Sequence, residues 1–169
     1  MISDKAKSIS SSKHIDNSTN TGLNGESNFI SAANKSGLTC VKSSKKDDIF
    51  NHIDFFFNGV AVDVKGYKNS HSLGYVVIEF KNVNGKNGWC SDSSKAELIA
   101  FEFMYDFILV RNKELLEFCR RTVENVFIEK FDSADLYKKL YTRNKRKDLM
   151  TTLKRLDLTA FRYVIKLKK

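Results

Sequence analysis

The sequence predicts a mixed α/β (α+β) domain, with a mixed central β-sheet flanked by helices. Three observations point there. Residues 52–66, HIDFFFNGVAVDVKG, place two β-rich runs around Asn58-Gly59, the strongest short signal for a two-residue hairpin turn. More strand-like runs follow, at Tyr75–Val83 and between Glu97 and Arg111. Apolar residues at helical spacing lie on both sides of this β-rich stretch.

In chain order, residues 1–23 are mostly Ser, Lys, Asn, Asp and Thr, and read as a flexible polar tail that buries too little to order itself. Residues 24–169 form a single domain, a reasonable size for one core. GESNFISAANKSG sets Phe29, Ile30, Ala32 and Ala33 at near-helical spacing and stops at Gly37. A polar connector follows, with a short strand at Leu38–Val41. Then comes the hairpin. If Asn58 and Gly59 are the turn, Phe57 faces Val60, Asp54 faces Asp63 and His52 faces Lys65. Alternation puts His52, Asp54, Phe56, Ala61, Asp63 and Lys65 on one face and the apolar Ile53, Phe55, Phe57, Val60, Val62 and Val64 on the other. Tyr75–Val83 is a third strand, apolar through Val76, Ile78 and Phe80; paired beside Val60–Lys65, it would bring Glu79 and Lys81 onto the acidic face. The Gly/Asn/Ser loop after it holds the one tryptophan, Trp89, expected to cap a core edge, with stacking on a base as the alternative. Two more strands cover Glu97–Phe103 and Phe107–Arg111. KELLEFCRRTVENVF is an amphipathic helix burying Leu115, Leu116, Cys119, Val123 and Val126. Tyr137–Thr142 and Asp148–Leu153 read as strands around a basic loop, with a last strand or short helix near Phe161–Leu167.

The chain carries a formal charge of +9. Residues 138–169 hold twelve Lys and Arg against two acids, Asp148 and Asp157. A near-neutral body with a basic end fits attraction to a polyanion, most often nucleic acid. The segment is too apolar to be a simple disordered tail, so it reads as folded with a basic surface, on which Arg143, Lys145, Arg146, Lys147, Lys154 and Arg155 are the candidate nucleic-acid contacts. No apolar run is long enough to cross a membrane. Three widely spaced cysteines and the absence of an N-terminal apolar stretch lead to the expectation of an intracellular protein with reduced thiols. There is no Walker-type glycine loop, so ATP hydrolysis is not indicated.

The hairpin raises a question of its own. Directly opposed like charges destabilise a strand pair. A bound divalent cation would offset the repulsion; so would a proton held on one carboxylate, or a register shift. Hydrolysis of a phosphodiester needs an activated water and stabilisation of charge on phosphate and leaving oxygen. Mg²⁺ serves both needs and takes one or two carboxylates together with water and substrate oxygens. Lys65, two residues after Asp63, points the same way and could act on the water or the developing charge.

Asp54 followed by Asp63-Val64-Lys65 resembles the PD-(D/E)XK motif of restriction-endonuclease-like nucleases: an acid on one strand, then Asp or Glu, any residue, and Lys on the next. The text from HIDF through AELIAFE is also similar to small nuclease-like proteins of phages and large DNA viruses, a likeness that covers roughly residues 25–111. The resemblance implies a restriction-endonuclease-like sheet flanked by helices and a DNA endonuclease using Mg²⁺, with Mn²⁺ as substitute. Asp54, Asp63 and Glu79 would be metal ligands, Lys65 the catalytic lysine, and Glu26 the glutamate of the first core helix. If the source is viral, the location would be the host cytoplasm or nucleus. The proline that names the motif is absent; Ile53 stands there. Glu79-Phe80-Lys81 is a second acceptable (D/E)XK with Asp63 as its first acid. A catalytically inactive module of the same fold, binding DNA or a protein, is the main alternative, and a structural protein that packages nucleic acid is another. Enzymes that cut both strands often act as symmetric pairs, so a homodimer is one expected state.

Overall fold

The computed structural model describes residues 21–128, 136–143 and 145–169. Most of the expected tail, residues 1–20, lies outside these. Residues 21–23, expected as its end, instead belong to a helix, α1 (21–35). Then follow β1 (Cys40–Lys42), α2 (Lys45–Asn51), β2 (Phe55–Phe57), β3 (Val60–Lys65), α3 (Asn69–Ser72), β4 (Tyr75–Lys81), β5 (Leu98–Glu102), β6 (Asp106–Arg111), α4 (Asn112–Thr122), β7 (Glu124–Ile128), β8 (Lys139–Tyr141), β9 (Leu149–Lys154), α5 (Arg155–Thr159) and β10 (Val164–Lys168). The architecture is mixed α/β, with a mixed sheet flanked by helices.

Two sheets are present where one was expected. The larger has six strands in the order β1-β2-β3-β5-β6-β10, and the smaller has the order β4-β9-β8-β7. In the large sheet β3 and β5 run parallel while the other neighbours are antiparallel. The β2–β3 hairpin has the expected register, Phe55 with Val62 and Phe57 with Val60. Asn58 and Gly59 both take positive φ, 48° and 82°, which a type I′ turn requires. The expected place for β4, beside β3, is occupied by β5. β4 pairs instead with β9, Val76 with Leu153 and Ile78 with Thr151.

The large sheet is covered on both faces. On one, Phe29, Ala32 and Ala33 of α1 pack on Phe55, Phe57, Val62, Val64, Ala100 and Leu109. Phe29 makes an edge contact with Phe107, ring centroids 5.3 Å apart. The helix stops where expected: Gly37 has φ +67°, and the Ser36 and Leu38 N–H groups donate back to Ala33 O. Gly25 and Gly66 let α1 press its backbone onto the chain just after β3. A Cβ on Gly66 would come within 2.4 Å of Thr21 O, and one on Gly25 within 2.5 Å of Gly66 Cα.

The other face, expected to be polar, is roofed by α4 and the small sheet. Ala61, Ile99, Phe101, Ile108 and Val110 meet Leu115 and Cys119 of α4 and Val76, Ile78 and Leu153 from β4 and β9. α4 ends at Thr122, earlier than the sequence period suggested. Val123 is already extended, and residues 124–128 form β7. Val126, expected on the buried side of that helix, is half exposed. Its β-branched neighbourhood satisfies both helical and strand patterns, and pairing with β8 decides the outcome. The expected strands around the basic loop are β8 and β9, and the last element is a strand, β10.

Candidate metal and phosphate site

The candidate acids lie where β2 begins. α2 is capped by Ser44, whose Oγ accepts from Asp47 N at 3.1 Å. It stops at His52, which takes the left-handed conformation at φ 55°. This turn removes His52 from the strand, so it does not face Lys65 as a ladder partner. Asp54 donates its N–H to Val62 O at 2.8 Å. Val62 is also the partner of Phe55, so two successive residues meet one, as in a bulge. The irregularity turns Ile53 away from Phe55 and into the core on the other face of the sheet. It also places the Asp54 side chain in the ladder itself, where Oδ2 accepts from Val64 N at 2.7 Å.

Asp63 lies within β3, only 3% exposed. Its Oδ1 accepts from Lys65 Nζ at 2.7 Å. Its Oδ2 is buried and has no hydrogen-bond partner of ordinary geometry, although the Asp54 carboxyl is close enough to influence its proton. Burial, then the charge of Asp63, pushes the Asp54 carboxyl up to about 6 against the pull of the Val64 N–H and Lys65. Burial also raises Asp63, with Lys65 opposing. The charge of Asp63 therefore makes Asp54 harder to ionise, whereas the Asp54 side chain eases the ionisation of Asp63. Lys65 is the cation they share, held with Nζ 4.9 Å from the centre of the Trp89 ring. Trp89 is buried at the core edge, as expected, and packs edge-on to Phe101 at 5.9 Å.

Glu79 of β4 is half-buried, its proton affinity raised by burial and lowered by Lys65, Arg143 and Lys68. Glu79 thus lies within the electrostatic reach of Lys65, but no third His, Cys, Asp or Glu among the described residues joins the aspartates in a metal-holding group. Glu26 is elsewhere: it pairs with Lys42 of β1. Its place in the first turn of an expected helix gave no information about its partner.

The basic candidates divide into two groups. Arg143 is tied to Asp148 by both its backbone N–H (2.9 Å) and its Nε (2.6 Å). Lys145 and Arg146 are exposed beside it, and the exposed Lys147 packs its Cβ near Gly85 of the loop after β4. Lys154 and Arg155 lie at the other end of the β4–β9 pair, where Tyr75 faces Lys154. Arg155 is taken by Asp106 at 2.7 Å, so it is no free phosphate contact. Sequence reasoning missed Lys68, an exposed residue whose ammonium gives up its proton more easily than usual because of burial of the charged group and the charge of Lys65. The signal was its spacing of three from Lys65.

The pair also meets a chemical test for a divalent cation: two neighbouring carboxylates, both made harder to ionise by burial, and one buried oxygen without a donor. Asp54 and Asp63 would be its protein ligands, leaving other positions to water and phosphate oxygens. No protein family, curated protein or solved structure matches the chain. No helix among the described residues is long and apolar enough to cross a membrane.

Proposed function

We propose that this chain is a Mg²⁺-dependent phosphodiesterase that cleaves DNA. The observation that carries the reading is the Asp54–Asp63 pair with its orphaned Oδ2 and Lys65 at 2.7 Å. A bound Mg²⁺ would supply a nucleophilic water and neutralise phosphate charge. Asp54 and Asp63 hold the cation. Lys65 orients the water or stabilises the negative charge that builds on the phosphate, and its contact with the Trp89 ring restricts where its ammonium can go. Glu79 is a water-orienting group. Exposed Lys68, Lys145, Arg146 and Lys147 attract the DNA backbone, so binding weakens steeply with salt.

The test is cleavage of plasmid and branched DNA with Mg²⁺, with Mn²⁺ and with chelator, by the native protein and by Asp63→Ala and Lys65→Ala. Each substitution is expected to reduce cleavage about 10³-fold, equivalent to about 4 kcal/mol of barrier. Activity unaffected by both would refute the assignment.

One observation favours a second reading, a DNA-binding module of the same fold that does not cleave: Asp63 is nearly inaccessible and already engaged by Lys65. Calorimetric titration with Mn²⁺ separates the two, since a pure binder has no reason to take up metal at Asp54 and Asp63.

A further inference from the structure

A sizeable cleft lies away from the acid pair. It has a volume of about 940 Å³ and opens at the end of the large sheet where β3 and β5 begin and β6 ends. Val60 lines it, three residues before Asp63 and so about 10 Å away along the strand.

Three independent features of this cleft favour an anion. The first is cationic side chains: Lys95, Arg111, Lys113 and Arg162 line it, all exposed. None of the four belongs to an ion pair among the described residues, whereas Arg120, Arg143 and Arg155 are each matched by an aspartate. Of the two acids on the rim, Asp92 is committed to Arg120 and Glu97 stands alone. The second is an aromatic ring that gathers charge. Arg111 Cζ lies 3.9 Å and Arg162 Cζ 5.6 Å from the centre of Tyr163. One ring thus attracts both guanidinium groups, and guanidiniums are suited to phosphate oxygens. The third is the start of α4, an eleven-residue helix entering the cleft at Arg111, Asn112 and Lys113. Its N-cap residue makes no side-chain cap; the Asn112 N–H is taken by Glu97 O at 2.9 Å, which leaves the N–H groups of Lys113 and Glu114 at the positive end of the dipole, beside the Glu114 carboxylate of the same turn.

Asn112 adds a preference beyond charge. It is 5% exposed and lines the cleft. Its Nδ2 faces Trp89 O, Ser94 Oγ and Ala96 O, while its Oδ1 has no partner. A buried acceptor without a donor costs about 1–3 kcal/mol; Oδ1 is closed to solvent, and a rotation of the amide that opens it to the cleft would let a ligand hydroxyl or amino group relieve it. Leu116 and Ile165 give the cleft an apolar wall, and its volume exceeds what a bare phosphate needs. From these features we infer that the cleft binds a phosphorylated nucleoside: phosphate at Arg111, Arg162 and the start of α4, and the sugar or base toward Asn112. A free nucleotide and the 5′-phosphorylated end of a strand share this chemistry.

The experiment uses the full chain in divalent-free, low-salt buffer, with calorimetry and the fluorescence of the single tryptophan, Trp89. ADP is expected to bind at least tenfold tighter than inorganic phosphate. Arg111→Gln and Arg162→Gln should each weaken ADP at least tenfold. Asp63→Ala should leave binding unchanged, so failure of the nuclease reading and failure of this one are distinguishable. If 5′-phosphorylated oligonucleotides bind better than 5′-hydroxyl ones and displace ADP, the source is a strand end; if the two oligonucleotides bind alike, it is the free nucleotide. The inference is overturned if no phosphate species binds, if ADP binds no tighter than phosphate, or if the double Arg111→Gln, Arg162→Gln variant binds ADP as the native protein does.

Discussion

Two buried acidic centres of the large sheet are built in opposite ways. Glu102, at the end of β5 and 1% exposed, is saturated with donors. Asn28 Nδ2 and Lys169 Nζ reach Oε1 at 2.7 and 2.5 Å, and Tyr67 N reaches Oε2 at 2.7 Å. The contacts tie α1, the chain after β3 and residue 169 to one carboxylate. His71 completes the centre by donating its Nδ1–H to Glu102 O at 2.6 Å. Burial pulls its imidazole down to about 4, so it stays neutral at physiological pH. The Asp54–Asp63 pair, by contrast, has two carboxylates for one lysine and one backbone N–H, and the buried Asp63 Oδ2 is left without a partner. A carboxylate that serves the fold collects its full set of donors. One held short of donors beside another acid has a deficit that folding did not remove, and such deficits concentrate at functional sites.

The largest expected effect is at the saturated centre. Glu102→Ala strands the donors of three elements and should destabilise the protein by about 3–5 kcal/mol, read from urea unfolding. A loss under 1 kcal/mol would break the contrast. The opposite sign is expected at the deficient centre. Asp54 has a folded-state proton affinity above its unfolded value of 3.8, rising to about 6. The native state therefore binds more protons between those limits, and stability falls as pH rises through that window. Asp54→Asn removes the penalty while keeping an oxygen for the Val64 N–H. It should stabilise the metal-free protein at pH 7.5 by up to about 3 kcal/mol, the equivalent of two pH units, with no gain at pH 3.5. Equal stabilities at both pH values would show that Asp54 carries no such penalty. The smallest effect is from the cation itself. Mg²⁺ at tenfold its Kd should add about 1.4 kcal/mol at pH 7.5, seen as a higher melting temperature in the native protein and absent in Asp63→Asn.

The hairpin was legible because its determinants are local: Asn58-Gly59 sets the turn, and alternation from Phe55 to Val64 sets the faces. Asp63 and Lys65 meet because two residues along a strand share a side. The bulge at Asp54 was not legible, since it depends on α2 ending in a left-handed His52. Nor was the second sheet: Val76 and Ile78 were correctly expected to be buried, but their partner strand β9 lies far along the chain. The same distance hid the roof over Asp63, which turned an expected polar face into an interior one. Glu102 was overlooked because nothing near it in sequence announces Asn28 or Lys169.

The parallel pairing of β3 with β5 has a consequence for how the chain assembles. When β3 leaves the ribosome, only β2 can join it. Its other edge stays open while the loop and all of β4, a strand of a different sheet, are made. Contacts of this span are slow to form, because the intervening chain must close before they give any return. An unpaired strand edge also invites the wrong neighbour, and on β3 the exposed edge is next to Asp63 and Lys65. Until α4 and the small sheet close over that face those charges remain hydrated, and charge on an open strand disfavours pairing with the wrong neighbour. The groups proposed for chemistry in the finished molecule would thus have protected its nascent chain first.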